Sequence, residues 1–303
     1  MTTIGKTIIL RCEQAFHPGT GNGTGFIDKP VQRSVTTELP IFWDSGLKGS
    51  MKEANRPNTA FTPDEHKLLF GSDDNGSQPS AGLFSEAKVL LFPVRTAKGL
   101  FTWVTCPYVL NKFIAAQHIR SKYATKIKTS YPDPLNIFTA YCCNTEGVEG
   151  MSIAKQVAGT YKAGLEEFIV EVRNDENYKG LSEVLAGEVY PEEGLRYWHD
   201  HLKNNLLLIS NELFQHLTYF DTEVRTRNKI KNGVAASTGL FVTEFLPEMT
   251  VLYAEMSVFQ NADTVLTITT KLDNLKSTLF AGGSITIGKG LLNLHIIHEL
   301  QES

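Results

Sequence analysis

Apolar positions along the chain alternate between strand-like and helix-like spacing, and glycine-rich or polar breaks separate the segments. Residues 4–12 (IGKTIILRC) carry a short apolar run that predicts a buried or half-buried first strand. After a glycine-dense stretch, PIFWDSGLKGSMKEAN passes from an extended start at 40–43 into a helix, with Ser45 as its expected N-cap and its first turn near Gly46. TPDEHKLLFG predicts a second helix, capped by Thr62, with Pro63 in the first helical position, acids in the first turn and Gly71 at the exit. Residues 72–82 (SDDNGSQPSAG) read as a solvated loop. Residues 83–106 predict a hairpin turning at 96–99. PYVLNKFIAAQHIRSKYA then opens a helix with Val109, Leu110, Phe113 and Ile114 on its apolar side.

Residues 125–165 show no clean period, whereas 166–174 predict a strand. GLRYWHDHLKNNLLLISNELFQHL predicts helix, a short strand at 206–209, and helix again. Within TEVRTRNKIKNGVAASTGLFVTEFLP, residues 223–227 alternate and Asn232-Gly233 is a strong turn signal, so two strands joined by a cationic tip are expected. MTVLYAEMSVF and DTVLTITTKL predict two more strands, followed by the loop GGSITIGKG and a last apolar stretch, GLLNLHIIHEL. Strands and helices mix without regular βα alternation, which predicts an α+β fold with a mainly antiparallel sheet. No internal repeat is visible, and insertions into one core are expected in preference to two independent domains.

The 303 residues are 42% hydrophobic and 20% charged, with net charge −4, which is ordinary globular composition. An acidic chain acting alone on nucleic acid is unusual, so such a role requires cations gathered on one face or help from partners. The four cysteines, Cys12, Cys106, Cys142 and Cys143, lack zinc-site spacing and read as reduced core thiols of a cytosolic protein. With no signal-peptide pattern and no apolar run of membrane-spanning length, a soluble, cytoplasmic protein without a membrane partner is expected.

The chemistry-bearing residues gather in HPGTGNGTGFIDKPVQRSVTTELPIFWDSGLKG (17–49). Gly19, Gly21, Gly23 and Gly25 let a main chain come close to a ligand, and His17 and Asp28 flank them. Lys29, Arg33 and Lys48 follow, and Gly283 and Lys289 stand in the closing loop. Glycine loops beside cations suit phosphates, and Lys48, placed in the first turn of its helix, would strengthen such a site. Asp28 reads either as a solvated turn acid or as a carboxylate beside a scissile phosphate, holding a divalent metal or orienting an attacking hydroxyl. His17 reads either as a packed loop histidine or as an acid–base group. Arg225, Arg227, Lys229 and Lys231 alternate, as an exposed cationic strand face does and as a row of contacts along a nucleic-acid backbone also does. TIGKG is not a Walker motif, and no nucleophile elbow, zincin motif or kinase set is present.

These motifs, in this order, resemble the backbone-subunit family of type III-B CRISPR (Cmr) effector complexes, within the RAMP superfamily. The likeness rests on HPGTGNGTGFIDKPVQRS with LPIFWDSGLKG, on residues 68–113, on TEVRTRNKI, on GLFVTEFLPEMTVLY and on SITIGKG, leaving out roughly 120–205. The resemblance implies a modified ferredoxin-like (RNA-recognition-motif) palm spanning 1–303, a finger insertion near 50–82 and a thumb hairpin near 222–243. It implies head-to-tail copies coating a CRISPR RNA guide, alongside other Cmr subunits, with complementary target RNA cut at regular steps. The cutting would depend on a divalent metal, Mg2+ or Mn2+, with Asp28 the possible ligand. By position, Asp28 matches the family's loop aspartate, the residue most closely tied to cleavage, and His17, a second catalytic candidate, matches its loop histidine. Lys48, with Ser45, matches the guide-phosphate motif. The thumb carries Arg225, Arg227 and Lys229. The family's S-S-L-K-G reads Ser45-Gly46-Leu47-Lys48-Gly49 here, Glu86 replaces an aspartate, and the two acids before an aromatic become Thr243 and Glu244 before Phe245, leaving Glu244 as the assisting acid. Two alternatives stay open: a backbone subunit that binds guide and target without cutting, and an unrelated small-molecule phosphohydrolase.

Overall fold

The centre of the sheet is built from two long apolar runs at opposite ends of the chain. In a computed structural model describing residues 2–23, 25–56, 60–73, 79–116, 119, 122–123, 126–128, 130–133, 136–231, 234–260 and 268–297, β1 (Thr2–Cys12) pairs antiparallel with Val251–Gln260 on one side and with Leu291–Ile297 on the other. Ile8, Ile9 and Leu10 are all buried, so both faces of β1 are covered, which is why its sequence shows a continuous run instead of alternation.

The remaining strands are β2 (Ile41–Phe42), β3 (Gly82–Phe84), β4 (Ala87–Arg95), β5 (Phe101–Thr105), β6 (Thr139–Cys142), β7 (Lys155–Val157), β8 (Thr160–Leu165), β9 (Phe168–Arg173), β10 (Leu207–Leu208), β11 (Glu223–Lys231), β12 (Val234–Phe245), β13 (Val251–Gln260), β14 (Thr278–Phe280) and β15 (Leu291–Ile297). The main sheet runs β14-β15-β1-β13-β4-β5-β10-β6-β9-β8-β7, with β2 and β3 attached to β4 and β13. Its pairings are antiparallel except β5 with β10 and β6 with β9. β11 and β12 form a separate two-stranded hairpin. The α+β class and the mainly antiparallel sheet expected from the pattern are therefore observed.

The described helices are α1 (Asp44–Asn55), α2 (Pro63–Phe70), α3 (Pro107–Ile114), α4 (Leu181–Val189), α5 (Arg196–Asn205) and α6 (Asn211–Phe220). In α1, Leu47 and Met51 are four apart and fully buried against the core, each such burial stabilising by roughly 1.5–3 kcal/mol. α2 is capped by Thr62 as expected, and the structure completes this into a capping box with Glu65. Among the described residues no helix is long and apolar enough to cross a membrane. All four cysteines are free and buried, and burial raises their thiol pKa values.

Three local expectations are corrected. Helix α1 begins at Asp44, with Trp43 in the N-cap position and no side-chain cap. Ser45 therefore lies inside the helix and Lys48 beyond its first turn; the Trp43 N–H goes to the Gln32 side chain (2.6 Å) and the Ser45 N–H to Asp44 (2.8 Å). Within DTVLTITTKL, residues 261–267 lie outside the described residues. The described remainder, 268–272, is helical turn, because Ile268 and Leu272, four apart, both anchor in the core. Finally, a bulge between Asn228 and Ile230 interrupts strict alternation in β11. The Asn232-Gly233 turn and the side chains of Lys229 and Lys231 lie outside the described residues.

Candidate RNA-binding and cleavage site

Three segments far apart in sequence meet at His17. Phe16 exchanges backbone hydrogen bonds with Leu246 at the foot of β12 (2.9 and 2.7 Å), and the Gly283 N–H of the closing loop donates to the His17 carbonyl (2.9 Å). The His17 ring, buried, holds its Nδ1 2.7 Å from the Glu244 carbonyl. A carbonyl can only accept, so Nδ1 carries the proton and Nε2 keeps its lone pair. Burial pulls the imidazole pKa below its ordinary value. The hydrogen bond to Glu244 opposes that shift, and the positive charges of Lys29 and Arg227 add to it.

The glycines beside this ring are required by space. A Cβ on Gly19 would stand 2.5 Å from His17 Nε2, and one on Gly283 2.8 Å from its Cδ2. Gly19→Ala should therefore expel the ring from its seat and lower the melting temperature by several degrees, through a loss of about 1–3 kcal/mol. A thermal melt unchanged within a degree would show that the ring is not confined.

The glycine loop delivers Asp28 to the hairpin. Lys29 pairs in parallel with Thr243, its N–H donating to the Val242 carbonyl (3.0 Å) while its carbonyl accepts from the Glu244 N–H (3.0 Å). The Val242 N–H donates to Asp28 Oδ2 at 2.7 Å. Asp28 is exposed, and among the described residues its other carboxylate oxygen has no partner. One oxygen thus fixes the side chain and the other is offered outward.

Phe245, absent from the sequence-level candidates, is the centre on which the cations converge. Its fully buried ring lies 5.5 Å from His17, with Arg227 at 5.0 Å and Lys289 at 5.4 Å. Arg227 also donates to Ser284 of the closing loop (3.0 Å), and Lys289 pairs with Glu223 (3.3 Å). Lys29 lies over Phe241 at 4.6 Å. Exposed Arg225 pairs with Glu223. Cation–π attraction seats these charged groups over the rings; Lys29 and Arg227 stay half-buried, whereas Lys289, its side chain 12% exposed, is also paired with Glu223.

Glu244 and Arg33 are placed differently from a solvent-facing pair. Glu244 is buried and accepts from Arg33 (2.6 Å), the Val31 N–H (2.9 Å) and Thr222 (2.9 Å). Arg33 also donates to the carbonyls of Glu38 (3.0 Å) and Thr218 (3.1 Å). Both groups are spent inside the protein, and Glu244 ties the loop after Asp28 to the base of the hairpin.

Lys48 and Ser45 lie on α1, apart from the Phe245 cluster. Lys48 donates to Ser80 (2.6 Å), and burial lowers its pKa, with Lys52 pushing the same way. The link between the two regions is Gln32, which sequence reading also missed: it takes the Trp43 N–H with one side-chain atom and donates to the Gly19 carbonyl with the other (2.9 Å). The glycine at 46 has a steric cause. A Cβ there would stand 2.5 Å from the Phe42 ring, so the family's serine does not fit this packing.

A β-hairpin hung on a large antiparallel sheet, with a glycine loop and a closing loop packed at its foot, defines a class. The RAMP superfamily model matches residues 10–293, and this chain belongs to that superfamily. It is 27% identical over 285 residues to the CRISPR system Cmr endoribonuclease Cmr4 of Pyrococcus furiosus, covering 92% of this chain and 90% of the relative. It is 22% identical over 313 residues to the CRISPR system CMR subunit Cmr4 of Saccharolobus solfataricus, covering 98% of each. A crystal structure of Cmr4 shares the fold with TM-score 0.70 at 22% identity, covering 98% of this chain and all (100%) of that one. A chain of the type III-B Cmr-beta complex bound to cognate target RNA gives TM-score 0.72 at 18% identity, covering 97% of each.

Proposed function

We propose that this protein is the repeating backbone subunit of a type III-B CRISPR effector complex, which binds a guide RNA and cuts complementary target RNA at regular steps. The observation that carries the reading is the junction at His17, where the glycine loop, the hairpin foot and the closing loop meet, with Arg227 and Lys289 gathered on Phe245, Lys29 on Phe241, and the exposed Asp28 fixed by one oxygen to Val242. The relatives named Cmr4 span nearly all of this chain, and one of them is named an endoribonuclease, which supports cutting over a purely structural role. A polyanion bound regardless of sequence is held by phosphate contacts, and pairing with the guide then selects the target. In this reading the hairpin is the thumb, the segment near 50–82 the finger, and the sheet the palm.

The free oxygen of Asp28 orients the attacking hydroxyl, whose proton passes to solvent as the new P–O bond forms, while the opposite P–O bond breaks and its leaving oxygen takes a proton from solvent. Its other oxygen stays on Val242, so the carboxylate arrives already oriented. Lys29 and Arg227 offset charge on the phosphate. His17 and Glu244 act as positioning residues, through the backbone of the hairpin foot. Among the described residues there is no group of three or more His, Cys, Asp or Glu side chains able to hold a metal. The donor set fits a divalent ion held by Asp28 together with RNA phosphate oxygens, the usual manner of Mg2+. Bound there, such an ion would neutralise developing phosphate charge.

Assembled complex incubated with labelled target, with and without Mg2+, is expected to give a ladder of evenly spaced products only with the ion. Uncut target under both conditions would favour the scaffold reading. Arg225→Ala is expected to weaken RNA binding and to reduce the salt slope by about one. An unchanged slope would place β11 away from the RNA.

A further inference from the structure

Gln32 stands where two short loops meet, and its side chain is tied to both. The first loop runs from 18 to 32 and carries Asp28. Along it Gly19 bridges Val31, the Thr20 N–H donates to the Pro30 carbonyl (3.2 Å), the Gly23 N–H to the Asp28 carbonyl (2.7 Å) and the Gln32 N–H to the Pro18 carbonyl (2.7 Å). The second loop runs from 32 to 41 and leads into α1. There Arg33 bridges Pro40, and the Ile41 N–H donates to the Gln32 carbonyl (3.0 Å). The Gln32 side chain is buried and adds one bond to each side. Its oxygen accepts the Trp43 N–H at the start of α1 (2.6 Å), and its nitrogen donates to the Gly19 carbonyl (2.9 Å). The place suits an amide, which accepts at one atom and donates at the other.

From this placement we propose that Gln32 is a positioning residue for cleavage: it fixes the base of the Asp28 loop to the start of the helix that carries Lys48, and so sets where the Asp28 carboxylate stands. This role rests on the cleavage reading above and adds to it a buried residue that acts through Asp28. Asp28 is then held from two sides. On the hairpin side the Val242 N–H fixes one of its oxygens. On the other side Gln32 holds the loop at Gly19, next to the pairing of Gly19 with Val31. Trp43 directly follows β2, which pairs with β4, so the same amide refers the loop to the main sheet as well as to α1. Gly19 also leaves no room beyond the His17 ring, so the loop cannot shift at that point without moving His17. Cutting that depends on alignment is slowed by a small displacement set at a distance from the reacting atoms.

The test is a double-mutant cycle on cutting by the assembled complex. Gln32→Glu keeps an acceptor for the Trp43 N–H but sets a carboxylate oxygen against the Gly19 carbonyl, with no proton to share, so it unhooks the loop and spares the start of α1. In single-turnover assays it is expected to cut about ten-fold more slowly than wild type, at unchanged positions, while binding guide and target within about two-fold. In the Asp28→Asn background the same change should slow the residual cutting by less than about two-fold, because the group it positions is already disabled. A role in stability alone would give the full loss in both backgrounds, and that result would overturn the proposal. Gln32→Glu cutting at the wild-type rate would overturn it as well. Should Gln32→Glu not assemble, Gln32→Met, uncharged and of similar size, carries the same cycle with the same expected outcome. If neither variant assembles, Gln32 serves folding only and the proposal falls. A wild-type complex that cuts nothing would remove the cleavage reading itself, whereas a wild type that cuts beside an equally fast Gln32→Glu removes this role alone.

Discussion

Asp28→Asn in the assembled complex is expected to cut target RNA at least about a hundred-fold more slowly than wild type while binding guide and target within about two-fold. Asparagine is the informative change. Its side-chain carbonyl oxygen can still accept from the Val242 N–H, so the link between glycine loop and hairpin survives. What is lost is the negative charge and basicity of the outward oxygen. Asp28→Ala removes the link as well, and some loss of hairpin order should accompany its inactivity. Single-turnover cleavage with a binding measurement on the same preparations checks this. An Asp28→Asn complex that cuts at wild-type rate would reduce Asp28 to a loop fastener.

The second large effect belongs to Glu244. Removing its carboxylate by Glu244→Ala strands Arg33, whose side chain is only 12% exposed, and leaves the Val31 N–H and the Thr222 hydroxyl without their acceptor. Breaking a buried pair from one side costs about 3–5 kcal/mol, which for a chain of this size lowers the melting temperature by roughly 10 °C. Glu244→Gln keeps a carbonyl acceptor and should recover about half of the loss. Cleavage should fall in step with stability, because the lost carboxylate is what ties Val31 and Arg33, in the loop after Asp28, to the hairpin foot where Thr243 pairs with Lys29. A melting change under about 2 °C for Glu244→Ala would contradict the placement of Arg33 and Glu244 in one buried knot.

Short-range signals in the sequence were reliable because the physics behind them is short-range. The Thr62 N-cap, the break between β4 and β5 and the alternation at 223–227 each depend on a few adjacent residues, and each is present. The hinge of the site was not legible. Glu244 meets Arg33 across 211 positions and His17 across 227, and an acid before an aromatic at the end of a strand carries no mark of that burial. Phe245 stood out only as the aromatic after Glu244, whereas its buried ring seats Arg227 and Lys289. Gln32, not singled out in the sequence, accepts the Trp43 N–H and donates to the Gly19 carbonyl, joining the start of α1 to the glycine loop. The charge pattern misled in one respect: Arg33 stands in a row of cations, and only the fold shows that its donors are already occupied.

The most direct measurement is a cryo-electron microscopy reconstruction of the chain assembled with guide and a non-hydrolysable target. Each copy should show a target phosphate beside the free Asp28 oxygen, with β11 and the 282–290 loop flanking the same strand. RNA running over another surface, with the Asp28 junction open to solvent in every copy, would contradict the account.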